Sequence, residues 1–151
     1  MTIPALSGVE IRPVAHCAQL EQLLASCDLP VADLTTSQAL QLFGAFADAE
    51  LVGVVGLEMY PSVALLRSLA VAPALRGKGL GDRLVRFAEQ RAEAQGVASV
   101  YLLTTTAASY FEKRGYAVAT RSDAPEAIRA TTQFSGMCPA SSILMVRHRA
   151  S

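Results

Sequence analysis

The sequence predicts an α/β (α+β) chain built on a mixed central sheet of roughly six to seven strands flanked by about four helices. Three observations carry this reading. Apolar runs of strand length fill the region from residue 42 to residue 71, a glycine-rich segment leads straight from the last of them into the most amphipathic stretch of the chain, and strand-like and helix-like segments alternate after it.

Val9 to Val14 alternates weakly and meets Pro13, which suits a first strand that stops as a helix begins. From Ala15 to Cys27, Leu20, Leu23 and Leu24 recur at helical spacing among Gln19, Glu21 and Gln22, and Asp28 and Pro30 end the pattern. Residues 28–40 are mixed, with Thr35, Thr36 and Ser37 as N-cap choices for a short second helix. Leu42 to Phe46 and Leu51 to Tyr60 flank Asp48-Ala49-Glu50 and read as an antiparallel hairpin; Leu65 to Val71 follows as a third strand of a meander. Beyond the glycines, Leu80, Leu84, Phe87 and Ala88 form one apolar stripe opposite Asp82, Arg86, Glu89, Gln90 and Glu93, and Gly96 supplies the stop. Val97 to Leu103 returns as a strand, Ala107 to Arg114 as a short helix closed by Gly115, and Tyr116 to Ala119 as a strand. Residues 121–140 form a long connection before a last strand from Ile143 to Val146.

At 151 residues the chain has the size of one domain with its own core, and a single domain over 1–151 is expected. The hydrophobic share of 52% raises the question of a membrane protein, but Glu58, Arg67, Asp82 and Arg83 break the apolar runs well short of the ~20 residues a span needs. A net charge of +0 leaves no basic footprint for nucleic acid. Met1 to Glu10 has neither a basic nor an apolar leader segment, so the cytoplasm is the expected compartment. Cys17, Cys27 and Cys138 lack metal or redox spacing and are expected as free thiols, with no metal site.

The glycine segment is where chemistry is expected. A helix start carries unpaired NH groups and partial positive charge, so a glycine-rich entry can wrap a pyrophosphate with backbone donors alone. Gly77, Gly79 and Gly81 allow that approach and Lys78 adds a charge. The pattern is neither a Walker A loop nor a GxGxxG dinucleotide fingerprint.

Arg76-x-x-Gly79-x-Gly81 resembles the Q/R-x-x-G-x-G/A signature of the GNAT acetyltransferases. Ser68-Leu69-Ala70-Val71-Ala72-Pro73 resembles the strand leading into it, and Tyr110-Phe111-Glu112-Lys113-Arg114-Gly115-Tyr116 the family's second cofactor segment. The likeness covers roughly residues 9–146. It implies the GNAT fold, with the sheet splayed between its fourth and fifth strands, and acetyl-CoA as co-substrate. By the same likeness the backbone of Leu69, Ala70 and Val71 pairs with the pantetheine arm, and Arg76, Gly77, Lys78, Gly79, Leu80, Gly81 and Asp82 hold the pyrophosphate. Leu69 NH is the implied oxyanion donor, and Phe111 belongs to the second cofactor segment. A narrower likeness rests on Leu66 to Val71, Tyr101 to Thr106, and Ile128 to Phe134 followed by Cys138-Pro139-Ala140-Ser141. These resemble a GNAT subgroup associated with arsenic-resistance operons, which implies a small amino-acid acceptor, with arsinothricin and phosphinothricin, both glutamate analogues, as candidates.

Transfer to an amine needs a base, an oxyanion donor and often an acid for the departing thiolate. Many GNAT enzymes carry a Tyr four residues before the Gly of the second segment; here that position is Phe111, so Tyr110, another group or solvent is left as the acid. Glu58, in an apolar strand, is the candidate base, and its alternative is a structural carboxylate facing solvent or paired with Arg67. Arg67 alternates with Leu65 and Leu69, so it is expected among apolar neighbours, as a grip for a substrate carboxylate or as a structural cation. Ser68 adjoins it. Thr104, Thr105 and Thr106 end the fifth strand, as acceptor contacts or as helix caps. Arg129, Thr132 and Phe134 in the long connection are further acceptor candidates, and His16 and His148 are expected at the surface. Cys17 and Cys27 fall about 15 Å apart on one helix, too far to share an ion. The expected partner is a small-molecule amine, with a homodimer left open. Competing readings are an acetyltransferase for a polyamine, aminoglycoside or protein terminus, a non-catalytic acyl-CoA-binding module, and a metalloid-binding module.

Overall fold

The computed structural model describes residues 8–27, 29, 31, 34, 39–131, 134 and 142–148. Along the chain run β1 (Val9–Pro13), α1 (Ala18–Ser26), β2 (Leu40–Ala47), β3 (Glu50–Met59), β4 (Val63–Val71), α2 (Leu80–Ala94), β5 (Ser99–Thr104), α3 (Ala108–Glu112), β6 (Ala117–Val118), α4 (Glu126–Arg129) and β7 (Ile143–His148). The expected short helix within 28–40 lies largely outside the described residues. The long connection holds more order than its sequence announces: a 3-10 turn at Arg121–Asp123 and the single turn of α4. Among the described residues no helix is long and apolar enough to cross a membrane.

The strands form one mixed sheet in the order β1-β2-β3-β4-β5-β7-β6. β1 to β4 are an antiparallel meander, with the β2–β3 turn at Asp48, whose φ of 56° is the left-handed value a tight hairpin needs. β5, β7 and β6 are antiparallel to one another. The two halves meet in the parallel β4–β5 contact, which lasts only for Val63↔Ser99, Ala64↔Val100 and Leu65↔Tyr101. From Leu66 onward β4 has no β5 partner, so the sheet opens as the fourth and fifth strands run toward their C-terminal ends.

Apolar alternation covers both faces. On one face α2 and α3 pack over Phe43, Val55, Leu57, Ala64, Leu66, Val100 and Leu102, with Leu80, Leu84, Val85, Ala88, Ala92 and Phe111 as the helix contribution. Burying each such Leu stabilises the fold by about 1.5–3 kcal/mol, so α2 is held by its stripe rather than by propensity. On the other face α1 inserts Leu20 and Leu24 against Leu42, Val54 and Ala70, and α4 sets Ile128 against Leu65, Tyr101 and Leu144.

The meander carries one irregularity that shapes the site. Val54 pairs with Ala70 but Gly56 pairs with Arg67, so Ser68 and Leu69 together oppose Val55. Ser68 stands at φ 57° to make this bulge. The extra residue shifts the side-chain phase: Leu65 and Arg67 share one face, whereas Leu69 joins the α2-side cluster with Leu66. The simple alternation of Arg67 with both Leu65 and Leu69 expected from the sequence is therefore corrected, because it assumed an unbroken strand.

Candidate active site

β4 ends at Val71, a 3-10 turn (Pro73–Leu75) reverses the chain, and residues 76–79 form an exposed loop into α2. Gly77 at φ 76° and Gly79 at φ 88° occupy conformations that cost any residue with a Cβ. Gly79 is the N-cap of α2, and the first helical bond runs from Arg83 N to Gly79 O at 3.1 Å. The NH groups just before it lie at the positive end of a 15-residue helix. Leu80 is fully buried and pins the helix start, while Gly81 needs its size for another reason: a Cβ there would meet the Tyr110 hydroxyl at 3.2 Å. Lys78 is exposed. The Arg76 guanidinium turns back to donate to Val71 O at 3.1 Å and to Cys27 Sγ at 3.2 Å, which leaves the backbone as the main donor set of the loop.

Asp82, in the first turn of α2, joins that helix to α3. Tyr110 donates its hydroxyl to Asp82 Oδ1 at 2.7 Å, Arg114 donates Nε to the same oxygen at 2.7 Å, and the guanidinium lies over the Tyr110 ring at 3.5 Å. The Tyr110 hydrogen bond, followed by Arg114, holds the Asp82 carboxyl below its usual range. Burial, then the Asp82 bond, pushes the Tyr110 phenol up to about 12. Phe111 is buried and packs edge-on against Tyr110 and Tyr116, so its ring serves the core under α3.

On the opposite face, Glu58 and Arg67 come together. Arg67 Nη1 donates to Glu58 Oε2 at 2.9 Å, and Tyr60 donates its hydroxyl to Oε1 at 2.7 Å. Arg67 Nε also donates to Ser68 Oγ at 3.1 Å. Glu58 and Arg67 are only 2% and 4% exposed, so each is the counter-charge that makes burial of the other tolerable. The pair sits between the α1 and α4 clusters, next to where β4 leaves β5.

Thr104 Oγ1 accepts from Ala107 N at 2.9 Å and so closes the turn into α3. Thr105 and Thr106 are exposed beside it, and Arg129 is exposed at the end of α4. Phe134 packs on the Leu65–Tyr101 cluster under the Arg121 guanidinium, 4.7 Å from its ring. Thr132 and Cys138 lie outside the described residues. Cys17 and Cys27 are free thiols at opposite ends of α1. His16 meets Glu21, and His148 Nδ1 lies 2.7 Å from Ser99 Oγ; both histidines are exposed. A groove of about 650 Å³ runs along α2 from Asp82 to Glu93 and across to Lys113, Arg114 and Arg147. It is mixed in charge and lies beside the opening of the sheet rather than in it.

Sequence reasoning gave no role of its own to Tyr60, or to Arg114 within the second cofactor segment. Tyr60 is two residues from Glu58 and Arg114 four from Tyr110, so strand and helix spacing respectively were the available signals.

Residues 12–116 match the profile of the Acetyltransferase (GNAT) family. The chain is 40% identical over 81 residues to an amino-acid acetyltransferase of Ralstonia nicotianae, a match that takes in 52% of this chain and 18% of that protein. Among solved structures, N-acetylglutamate synthase from Neisseria gonorrhoeae, complexed with coenzyme A and N-acetyl-glutamate, superposes with a TM-score of 0.76 at 21% identity, over 95% of this chain and 35% of that one. An acetyltransferase from Streptococcus agalactiae gives a TM-score of 0.75 at 20% identity over 94% and 99%. At these identities the structural likenesses carry the fold. The chain spans about a fifth of the length of the Ralstonia relative.

Proposed function

The chain belongs to the Acetyltransferase (GNAT) family, and from that premise we propose that it is an acetyl-CoA-dependent N-acetyltransferase for the amine of a small amino-acid-like acceptor, working by direct transfer in a ternary complex within a single domain. The observation that carries the cofactor half is the entry to α2: two left-handed glycines deliver a row of helix-start NH groups beside the opening between β4 and β5. In this reading the NH groups from Lys78 to Asp82 take the pyrophosphate, the backbone of Leu69 to Val71 lines the pantetheine arm, and Leu69 NH meets the tetrahedral oxyanion. The crystallised Neisseria synthase, with coenzyme A bound, has the same fold and supports this assignment by analogy.

The acceptor half rests on the buried Glu58–Arg67 pair. An amino acid presents an ammonium and a carboxylate on one carbon, and its site needs an anion and a cation close together. We assign Glu58 as the base. Both its oxygens are engaged and it is buried, so the proton reaches it through a hydrogen-bonded neighbour, with the Tyr60 hydroxyl in place to relay it. Arg67 is assigned to the acceptor carboxylate, which requires its enclosed guanidinium to be uncovered as the acceptor enters, with Ser68, Thr104 to Thr106, Arg129, Thr132 and Phe134 as the further acceptor contacts. Tyr110 is the hydroxyl assigned to the thiolate; its proton is held by Asp82, so donation requires that bond to yield. Glutamate analogues of the arsinothricin and phosphinothricin type fall within this acceptor class, and an arsenic-linked role is proposed on that ground. The cytoplasm, where acetyl-CoA is available, is the proposed compartment.

Steady-state kinetics of Arg67→Met and Arg67→Lys test the acceptor assignment. Loss of a charge-assisted bond worth about 1.5–3 kcal/mol should raise the acceptor KM by one to two decades in the methionine variant, with the acetyl-CoA KM nearly unchanged. Lysine keeps a cation for Glu58 and should fall between. An unmoved acceptor KM in both folded variants would refute the clamp.

A further inference from the structure

Tyr101 lies opposite Leu65, the last pair that joins β4 to β5 before the strands part. Its ring packs with Leu65, Ala124, Ile128 and Leu144, on the face that carries Arg67 two residues further along β4. The residue is 8% exposed, and phenylalanine would fill the same apolar cluster. Among the described residues the hydroxyl has no hydrogen-bond partner, yet it is not a fully enclosed unsatisfied atom. The small exposed part of Tyr101 therefore includes its oxygen. A hydroxyl that water can reach carries no unpaired-burial cost and adds little to the fold, so it is available to a ligand that displaces that water. A phenol is a proton donor at neutral pH without any shift, and burial moves it further in that direction.

We propose that Tyr101 is an acceptor-recognition residue, whose hydroxyl donates a hydrogen bond to an oxyanion of the acceptor, a carboxylate or a phosphinate-like group, on the sheet face that carries the buried Glu58–Arg67 pair. The proposal rests on the reading that an anionic amino acid enters where β4 and β5 part. It assigns Tyr101 to specificity: the hydroxyl touches the acceptor but takes no part in moving the acetyl group.

The test is Tyr101→Phe, compared with the wild type on L-glutamate, L-glutamine and butylamine, with KM and kcat measured for both substrates and Tm for both proteins. The proposal expects the KM of the preferred amino acid to rise about tenfold or more, while kcat and the acetyl-CoA KM stay within about twofold and Tm is unchanged or higher. Two results overturn it: an acceptor KM that does not move, or a rise in both KM values together with a fall in Tm, which would mark a packing role. If the wild type prefers butylamine to both amino acids, the amino-acid reading falls and this proposal with it. If the wild type prefers an amino acid and Tyr101→Phe is silent, only the role of Tyr101 is lost.

Discussion

Glu58 carried two expectations, a base and a partner for Arg67, and the pairing is the one the structure shows. Its strand is apolar on both sides, which suggested a base, and Arg67 nine positions away suggested an ion pair; the structure buries the carboxylate and pairs it. Pairing alone would make Glu58→Gln a stability mutant, because an uncompensated guanidinium is left inside at a cost of about 3–5 kcal/mol. A base adds a second signature. Glu58→Gln should retain acetyl-CoA binding and lose turnover at neutral pH, and part of the loss should return at alkaline pH, where the acceptor amine sheds its own proton. A pH–rate profile with the wild-type shape in a variant still folded at the assay temperature would assign Glu58 to structure. The neighbour that the sequence could not place was Leu69. Nothing in Arg67-Ser68-Leu69 announces a bulge, since Ser68 at positive φ is uncommon for a residue with a Cβ and depends on the strands to either side.

At the scale of elements, legibility followed length and period. The helix after the glycines was readable because 15 residues give four turns of stripe, with Leu80, Leu84 and Ala88 all buried. α4 has four residues, too few to show any period, and its start after Pro125 passed for loop. The parting of β4 from β5 was implied by likeness to a family and not by the residues themselves, since it is a pairing between segments more than thirty positions apart. The loop into α2 carries the element-scale prediction. Gly79→Asp places a side chain and a negative charge at a left-handed N-cap where the phosphates are proposed to sit. It should raise the Kd for coenzyme A by about tenfold or more by calorimetry, with Gly79→Ala showing the smaller, conformational part. Unchanged affinity in folded Gly79→Asp would move the pyrophosphate elsewhere.

For the whole molecule, the proposed cofactor and acceptor residues fall on the two faces of one sheet. α2 and α3 form the proposed cofactor side, joined by Asp82, Tyr110 and Arg114; the opposite face holds the buried charges and Tyr101. A net charge of +0 gives no overall bias toward ligands of one sign, so recognition depends on where individual charges stand. The central proposal is that the protein moves acetyl from acetyl-CoA to an amine that carries a carboxylate. The most direct measurement is acetyl-CoA turnover by the wild-type chain against matched pairs, each an amino acid and its decarboxylated amine, with thiol release followed continuously and products identified by mass spectrometry. The account predicts an N-acetylated amino acid as product and a kcat/KM at least about tenfold higher than for the amine lacking the carboxylate. Equal turnover of both members of every pair, or no thiol release with any amino acid, would contradict it.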